Sequence, residues 1–310
     1  MRTAGWIGCV LLLAGPTAYA EPPPGGGQKA VLVTGASTGI GRSITERLAA
    51  EGHFVYAGAR KDTDLEELNA IENVQAVRLD VTKPADIEAA VLTITQAGRG
   101  LYGLVNNAGV AITGPFLDTK EEDFDFVMDV NTYGPYRVTK AFTPLIIASQ
   151  GRVTTISSIS GILSGRDLGV YSMSKHAIEA FGDSLALQLE PQGVKVSLIE
   201  PGNYNTEIGS SAAKRMGAET RLADRAKYKS PEEVAAAVTL ALLEPNPKRR
   251  YMVVPNQYEG EITIKKAIQE LVQLNEGHAY TYDRDALVRM LDEALATARP
   301  VVPATPSAAQ

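Results

Sequence analysis

Short apolar runs alternate with helix-like stretches through most of the chain. The runs Ala30–Val33, Phe54–Ala57, Val74–Leu79, Leu101–Val105, Val153–Ile156, Val194–Ile199 and Tyr251–Val254 are rich in Val, Ile and Leu, as buried strands are. Between them apolar residues recur at helical spacing. Ile40, Ile44 and Leu48 share one helix face, and Ile87, Val91 and Ile94 share another. Strands alternating with helices pair in parallel and need cover on both faces of the sheet. The pattern predicts an α/β fold: one doubly wound domain over residues 29–255, with a seven-stranded, mostly parallel sheet. A helical pattern returns from Ile262 to Ala298, with Ile264, Ile268, Leu271, Leu287, Met290 and Leu291 as its apolar positions. Residues 256–299 are therefore expected as a C-terminal helical extension, and residues 300–310 as a disordered tail.

The N-terminus follows a different logic. Arg2 precedes an apolar stretch from Trp6 to Ala14, then Pro16 and the small-residue pattern Ala18-Tyr19-Ala20. That is the layout of a secretory signal peptide over residues 1–20, cleaved after Ala20, and it predicts an exported or periplasmic protein. The stretch is shorter than the roughly 20 residues of a membrane-spanning helix, so no stable transmembrane span is expected. An uncleaved, membrane-anchoring segment and a start codon assigned too early, which would leave a cytoplasmic protein, are the alternatives. Residues 21–28, Glu21 to Gln28, read as a flexible linker.

Composition narrows the function. Hydrophobic residues make up 45% and charged residues 21% of the 310, ordinary for a soluble globular protein. A net charge of −6 without a long basic run argues against a nucleic-acid partner. Cys9 is the single cysteine, so no intramolecular disulfide forms. His53, His176 and His278 lack metal-ligand spacing, and no metal is expected.

The stretch VLVTGASTGIGRS, Val31 to Ser43, ends an apolar run with Gly35, Gly39 and Gly41 and passes straight into a helical pattern. A helix N-terminus presents unpaired N–H groups and partial positive charge, which favour an anion. Glycines let the chain turn tightly there and let a phosphate come close. A purely structural turn is the alternative, but the strand and helix on either side supply the context of a dinucleotide fingerprint. Farther on, Tyr171 and Lys175 lie four apart on a helix whose apolar face is Ile178, Phe181 and Leu185. Such a pair points the same way, and an ammonium beside a phenol favours phenolate. That arrangement suits a general acid/base for alcohol–carbonyl interconversion.

TGASTGIG (Thr34–Gly41), NNAG (Asn106–Gly109), the serine pair Ser157–Ser158, YSMSK (Tyr171–Lys175) and PGNYNT (Pro201–Thr206) occur in that order. Over residues 29–255 the chain resembles the short-chain dehydrogenase/reductase family, whose domain is a Rossmann fold. VSLIEPGNYNT, Val196 to Thr206, is similar to its retinol and hydroxysteroid dehydrogenase branch. The resemblance implies that Tyr171 exchanges a proton with the substrate oxygen and that Ser158 orients that oxygen. Lys175 would tune Tyr171 and hold the nicotinamide ribose, and Asn131 would hold a water in the proton relay. It implies cofactor contacts from Gly35, Ser37, Thr38, Gly39, Ile40, Gly41, Asp80, Val81, Asn107, Ala108, Gly109, Tyr171, Lys175, Pro201, Gly202 and Thr206.

Cofactor choice follows from the second strand. By resemblance, the place where an NAD enzyme carries an acid is held by Ala59, and Arg60 follows it. A guanidinium forks onto a phosphate, so NADP(H) is expected over NAD(H), with Lys61, Ser37 and Thr38 nearby; a solvated pair partly cancelled by Asp62 and Asp64 is the alternative. The expected function is an oxidoreductase interconverting a bulky apolar alcohol and its ketone or aldehyde, with Ile162, Leu163, Leu168, Tyr204, Ile208 and Met216 facing the substrate. The segment from Asn203 to Lys229 is expected to form a mobile lid. A non-catalytic NAD(P)-binding sensor on the same fold is the alternative; it would have no reason to keep all four of Asn131, Ser158, Tyr171 and Lys175. By resemblance, a homodimer or homotetramer is expected, built on the helix bearing Tyr171 and a helix from Asp123 to Ala148.

Overall fold

A computed structural model of the chain describes residues 28–216 and 227–297. The candidate signal peptide, the linker up to residue 27, the centre of the expected lid and the tail beyond 297 lie outside the described residues. Two compact units divide after Glu259.

The first unit contains β1 (Ala30–Thr34), α1 (Gly39–Ala50), β2 (Phe54–Ala59), α2 (Asp62–Asn69), β3 (Val74–Arg78), α3 (Pro84–Gln96), β4 (Gly103–Asn106), α4 (Glu121–Met128) and α5 (Gly134–Ala148). It continues with β5 (Arg152–Ile156), α6 (Gly169–Leu189), β6 (Lys195–Pro201), α7 (Ile208–Arg215), α8 (Glu232–Leu243) and β7 (Arg250–Val253). The strands form one sheet in the order β3-β2-β1-β4-β5-β6-β7, every neighbouring pair parallel. The order reverses between β1 and β4, which opens a crevice at the carboxyl edge there.

Strand alternation divides the core. Val31 and Val33 of β1 face one layer, with Ile44 and Leu48 of α1 and Val238 and Leu242 of α8. Leu32, between them, faces the other, with Tyr56, Ile94, Phe142, Ile146 and Leu189. Both faces are thus covered, which is why the strands read as continuous apolar runs.

The helix expected from Asp123 to Ala148 is interrupted. A π-turn at Asp129–Tyr133 separates α4 from α5, closed by the amide of Gly134 on the carbonyl of Asp129. Sequence supplies the reason: an α-helix would need the amide of residue 135 to serve the Asn131 carbonyl, and Pro135 has none.

The helical extension expected over 256–299 contains two helices. α9 (Gln257–Leu274) starts in the first unit and ends in the second, and α10 (Arg284–Thr297) follows. Asn275 closes the break between them: its amide nitrogen donates to the Tyr282 carbonyl and its oxygen accepts from the Tyr282 amide, both at 2.9 Å. Among the described residues no helix is long and apolar enough to cross a membrane.

Candidate active site

The glycine-rich turn is built by close approach. Gly35 and Gly39 have φ of +64° and +56°, in the left-handed region that other residues rarely adopt. A Cβ at Gly41 would lie 2.2 Å from the Gly35 carbonyl oxygen and 2.4 Å from Asn107 Nδ2. A Cβ at Gly35 would lie 2.9 Å from Ala108 Cα. The two motifs are laced together through Thr34 and Asn107. Thr34 Oγ1 accepts from the amides of Asn107 and Ala108, both at 3.0 Å, and Asn107 Nδ2 donates to the carbonyls of Thr34 and Gly35 at 2.9 and 3.0 Å. Thr34 was not singled out from the sequence; its hydroxyl at the strand end was the available signal.

This cradle fits a dinucleotide phosphate. Thr38 caps α1 without a side-chain hydrogen bond, and the first turn carries no acidic residue, so its N–H groups and dipole are open to an anion. Ser37, Gly39 and Ile40 are partly buried and Thr38 is exposed. Thr206 comes against the turn from the far side of the sheet: a Cβ at Gly39 would lie 3.2 Å from Thr206 Cβ.

At the end of β2, Ala59 is buried and Arg60 exposed. The Arg78 guanidinium pairs with Asp62 and also donates to the Arg60 carbonyl. Among the described residues neither Arg60 nor Lys61 is in an ion pair, so Asp62 is taken up by Arg78 instead. Asp80 accepts from the Thr82 amide and hydroxyl at 3.0 and 2.7 Å. Burial opposes its ionisation, but those bonds, with Arg60 and Lys83, hold the carboxyl below its usual range. Val81 is buried against Gly134, whose Cβ would meet Val81 Cγ2 at 2.7 Å.

Ser158, Tyr171, Lys175 and Asn131 converge at the carboxyl edge of β4 to β6. Ser158 follows β5, accepts from the Ser160 amide at 3.0 Å, and stands within hydrogen-bond reach of the Tyr171 hydroxyl. Lys175 Nζ lies 5.6 Å from the Tyr171 ring centre and donates to the Ile156 carbonyl at 2.9 Å. A Cβ at Gly109 would lie 3.6 Å from Asn131 Oδ1 and 3.9 Å from Lys175 Nζ, so Gly109 separates those two side chains. The Asn131 amide is fully engaged. Its oxygen accepts from the Val110 amide, and its nitrogen donates to the Val110 carbonyl, each at 2.8 Å, and to Ser174 Oγ at 3.0 Å. Ser174, also not singled out, donates on to the Tyr171 carbonyl at 2.7 Å.

Two electrostatic findings differ from simple expectation. Burial raises the Tyr171 phenol above its ordinary value, and the Ser158 bond only partly opposes this. The lowering expected from Lys175 is not the net result; burial dominates. Lys175 itself is pushed down to about 8 by burial, against the opposing charge of Glu179.

Pro201 is the last residue of β6, and the Gly202 amide donates to the Val253 carbonyl at 2.8 Å. A Cβ at Gly202 would collide with Glu259, whose carboxylate accepts from the Asn203 amide at 2.8 Å. Tyr204, expected to face substrate, is 7% exposed and belongs to the core; its hydroxyl donates to Glu233 Oε2 at 2.7 Å. Ile162, Leu163, Leu168 and Ile208 are partly buried, and Met216 is exposed after α7.

A family model described as short chain dehydrogenase matches residues 29–217. The mitochondrial D-beta-hydroxybutyrate dehydrogenase of Bos taurus is 38% identical over 66% of this chain and 64% of its own length. Retinol dehydrogenase 16 of Mus musculus is 40% identical over 59% of each chain. The uncharacterized oxidoreductase YbbO of Escherichia coli is 33% identical over 73% of this chain and 86% of its own. This chain spans only 64%, 57% and 54% of the cattle, mouse and rat hydroxybutyrate dehydrogenases. Among solved structures, a short-chain dehydrogenase from Streptomyces avermitilis is similar with a TM-score of 0.67 at 27% identity, covering 87% of this chain and 98% of that one. An alcohol dehydrogenase from Thermococcus sibiricus, complexed with 5-hydroxy-NADP, has a TM-score of 0.64 at 26% identity over 74% and 96%. With the glycine cradle, the parallel seven-stranded sheet and a family match across most of the first unit, the chain belongs to the short-chain dehydrogenase family, with retinol dehydrogenases among its relatives.

Proposed function

We propose that the chain interconverts a bulky apolar alcohol and its ketone or aldehyde, preferring NADP(H), with Tyr171 as general acid/base. One observation carries this reading: the Tyr171 hydroxyl and Ser158 lie within hydrogen-bond reach at the carboxyl edge, beside a buried lysine. The bound nicotinamide supplies or accepts the hydride. Gly35, Ser37, Thr38, Gly39, Ile40 and Gly41 would hold its phosphates, and Asn107 to Gly109 and Pro201, Gly202 and Thr206 would line the cleft. Tyr171 gives a proton to the substrate oxygen, or takes it, while Ser158 orients that oxygen. Lys175 restores the proton to Tyr171. With its side chain engaged by Val110 and Ser174, Asn131 offers its main-chain carbonyl, which Pro135 cannot serve as the next α-helical amide would, to hold a relay water.

The unpaired Arg60 beyond Ala59 supports recognition of a 2′-phosphate. The partly buried Ile162, Leu163 and Leu168 and the likeness to retinol dehydrogenases support an apolar substrate. Tyr133 and Tyr136, 56% and 49% exposed, and Leu187 of α6, 73% exposed, support self-association as a homodimer or homotetramer. Export stands on the N-terminal sequence alone, and a mature start at Glu21 in the native protein is its test.

The experiment is turnover of NADP(H) and NAD(H) with retinoids, steroids, simple secondary alcohols and 3-hydroxybutyrate, followed by cofactor absorbance. Turnover of the apolar substrates with NADP(H) is expected. Cofactor binding without turnover of any of them would instead favour the sensor.

A further inference from the structure

Behind the Tyr171 site lies a second cluster of charge that the chemistry above does not use. Arg250 of β7 reaches three carboxylates: Glu179 at 2.9 Å and Asp183 at 2.8 Å, both on α6, and Glu200 of β6 at 3.3 Å. Glu200 is only 3% exposed. Its carboxyl also stands within hydrogen-bonding reach of Glu179. One oxygen of each, Glu179 Oε1 and Glu200 Oε1, is buried and accepts no hydrogen bond; Glu200 Oε1 has the Arg250 ion-pair contact at 3.3 Å but not an aligned N–H. Two such oxygens side by side are satisfied by one proton between them, and two close carboxylates do not both ionise readily.

The cluster extends to Lys175. Glu179 lies one helical turn beyond it on α6, and its charge opposes the loss of the Lys175 proton that burial promotes. Gly161 keeps Glu179 in place: a Cβ there would come within 2.9 Å of Glu179 Cγ and 3.0 Å of Ser157 Oγ. The charges facing one another are Lys175, Glu179 and Asp183 from α6, Glu200 from β6 and Arg250 from β7. Arg250 and Asp183 pair at the exposed end of the cluster, which leaves the buried Lys175 against Glu179 and the buried Glu200; one cation against two carboxyls balances when one carboxyl keeps a proton, the state least costly to bury.

We propose that Glu179 and Glu200 form a proton-sharing acid pair, anchored by Arg250, that holds the buried side chain of Lys175 in its ammonium form. They act as positioning residues, through Lys175 and not on the substrate. The inference rests on the proposed role of Lys175 only for its kinetic consequence. The pair itself is tested without turnover.

The test is a carbon-13 NMR titration of the full-length chain, labelled at glutamate carboxyl and lysine ε carbons. In the wild type one glutamate titrates near neutrality, in keeping with a Glu200 carboxyl raised to about 7 by burial and by Glu179. That signal is lost in both Glu200→Gln and Glu179→Gln. The Lys175 midpoint falls by roughly 0.5–1 pH unit in Glu179→Gln, the loss expected for one nearby opposite charge. It does not fall in Glu200→Gln, where Glu179 keeps its full charge. Absence of a near-neutral glutamate in the wild type, its survival in Glu200→Gln, or an equal fall of Lys175 in both variants overturns the proposal. The wild-type titration and Glu200→Gln decide the pair even where Glu179→Gln does not fold. If Lys175 moves as stated but the alkaline limb of kcat/KM does not follow, the pair stands and the proposed kinetic role of Lys175 fails.

Discussion

The two halves of the sheet edge are held by different forces. Around β1 and β4 the contacts are neutral: Thr34 and Asn107 exchange four hydrogen bonds with neighbouring backbone, and glycines let two turns touch. Around β5, β6 and β7 the groups are charged or titratable: Lys175 and Glu200 are buried, Tyr171 and Glu179 partly buried, and the exposed Arg250 closes the cluster from β7. The first half is constrained by volume, because one added carbon has nowhere to go. The second is constrained by protonation, because burial works against the charged forms of Tyr171, Lys175 and Glu200. Cofactor affinity should therefore answer to size changes in one half, and reaction rate and pH response to isosteric changes in the other.

The largest expected effect is on the titratable side. Tyr171→Phe keeps the ring and removes the exchangeable proton. Loss of about 10²- to 10⁴-fold in kcat is expected, with cofactor binding and melting temperature close to wild type. Near-normal turnover would remove Tyr171 from its role. On the other side, Gly41→Ala places a carbon 2.2 Å from the Gly35 carbonyl. A cost of about 1–3 kcal/mol is expected, as for overpacking elsewhere, read as weaker cofactor binding or a lower melting temperature. An alanine variant with wild-type affinity and stability would break the comparison. Next comes Arg60→Ala, which should reduce the NADP(H)-over-NAD(H) ratio of kcat/KM by about tenfold or more, as for one lost charge-assisted contact. An unchanged ratio would dissociate Arg60 from cofactor choice.

The same division explains what could be read from the chain. All seven strands follow from short apolar runs, because a parallel sheet buried on both faces has few polar positions to blur them. The glycine turn is legible because Gly35 and Gly39 need positive φ and Gly41 has no room for a Cβ. The interruption between α4 and α5 was also present in the sequence, in the missing amide of Pro135, but periodicity alone runs through it. Tyr204 illustrates the opposite limit. An aromatic after the last motif suggests a substrate wall, yet Glu233 of α8, 29 residues on, draws its hydroxyl into the core. Long-range polar partners of this kind, like Arg250 meeting Glu179, have no local signature.

The smallest expected effect concerns stability and sharpens the comparison most. Burial lowers Lys175 from 10.5 to about 8 in the folded protein. The unfolded chain therefore holds that proton more tightly between those pH values. Where the unfolded state binds more protons, stability rises with pH. The lysine is thus a full cost below about pH 8, relieved as pH climbs past 10. At 1.36 kcal/mol per pH unit the cost approaches about 3 kcal/mol, and the hydrogen bond to the Ile156 carbonyl offsets part of it. Lys175→Met removes both and leaves that carbonyl without its donor. We expect the variant to be inactive yet more stable at pH 7, by about 1 kcal/mol in denaturant unfolding. The advantage should shrink as pH climbs from about 8 and reverse as it passes 10.5, where the wild-type lysine becomes neutral in both states. A variant less stable than wild type by the same amount at both pH values would show that Lys175 is held by packing rather than placed there against its charge.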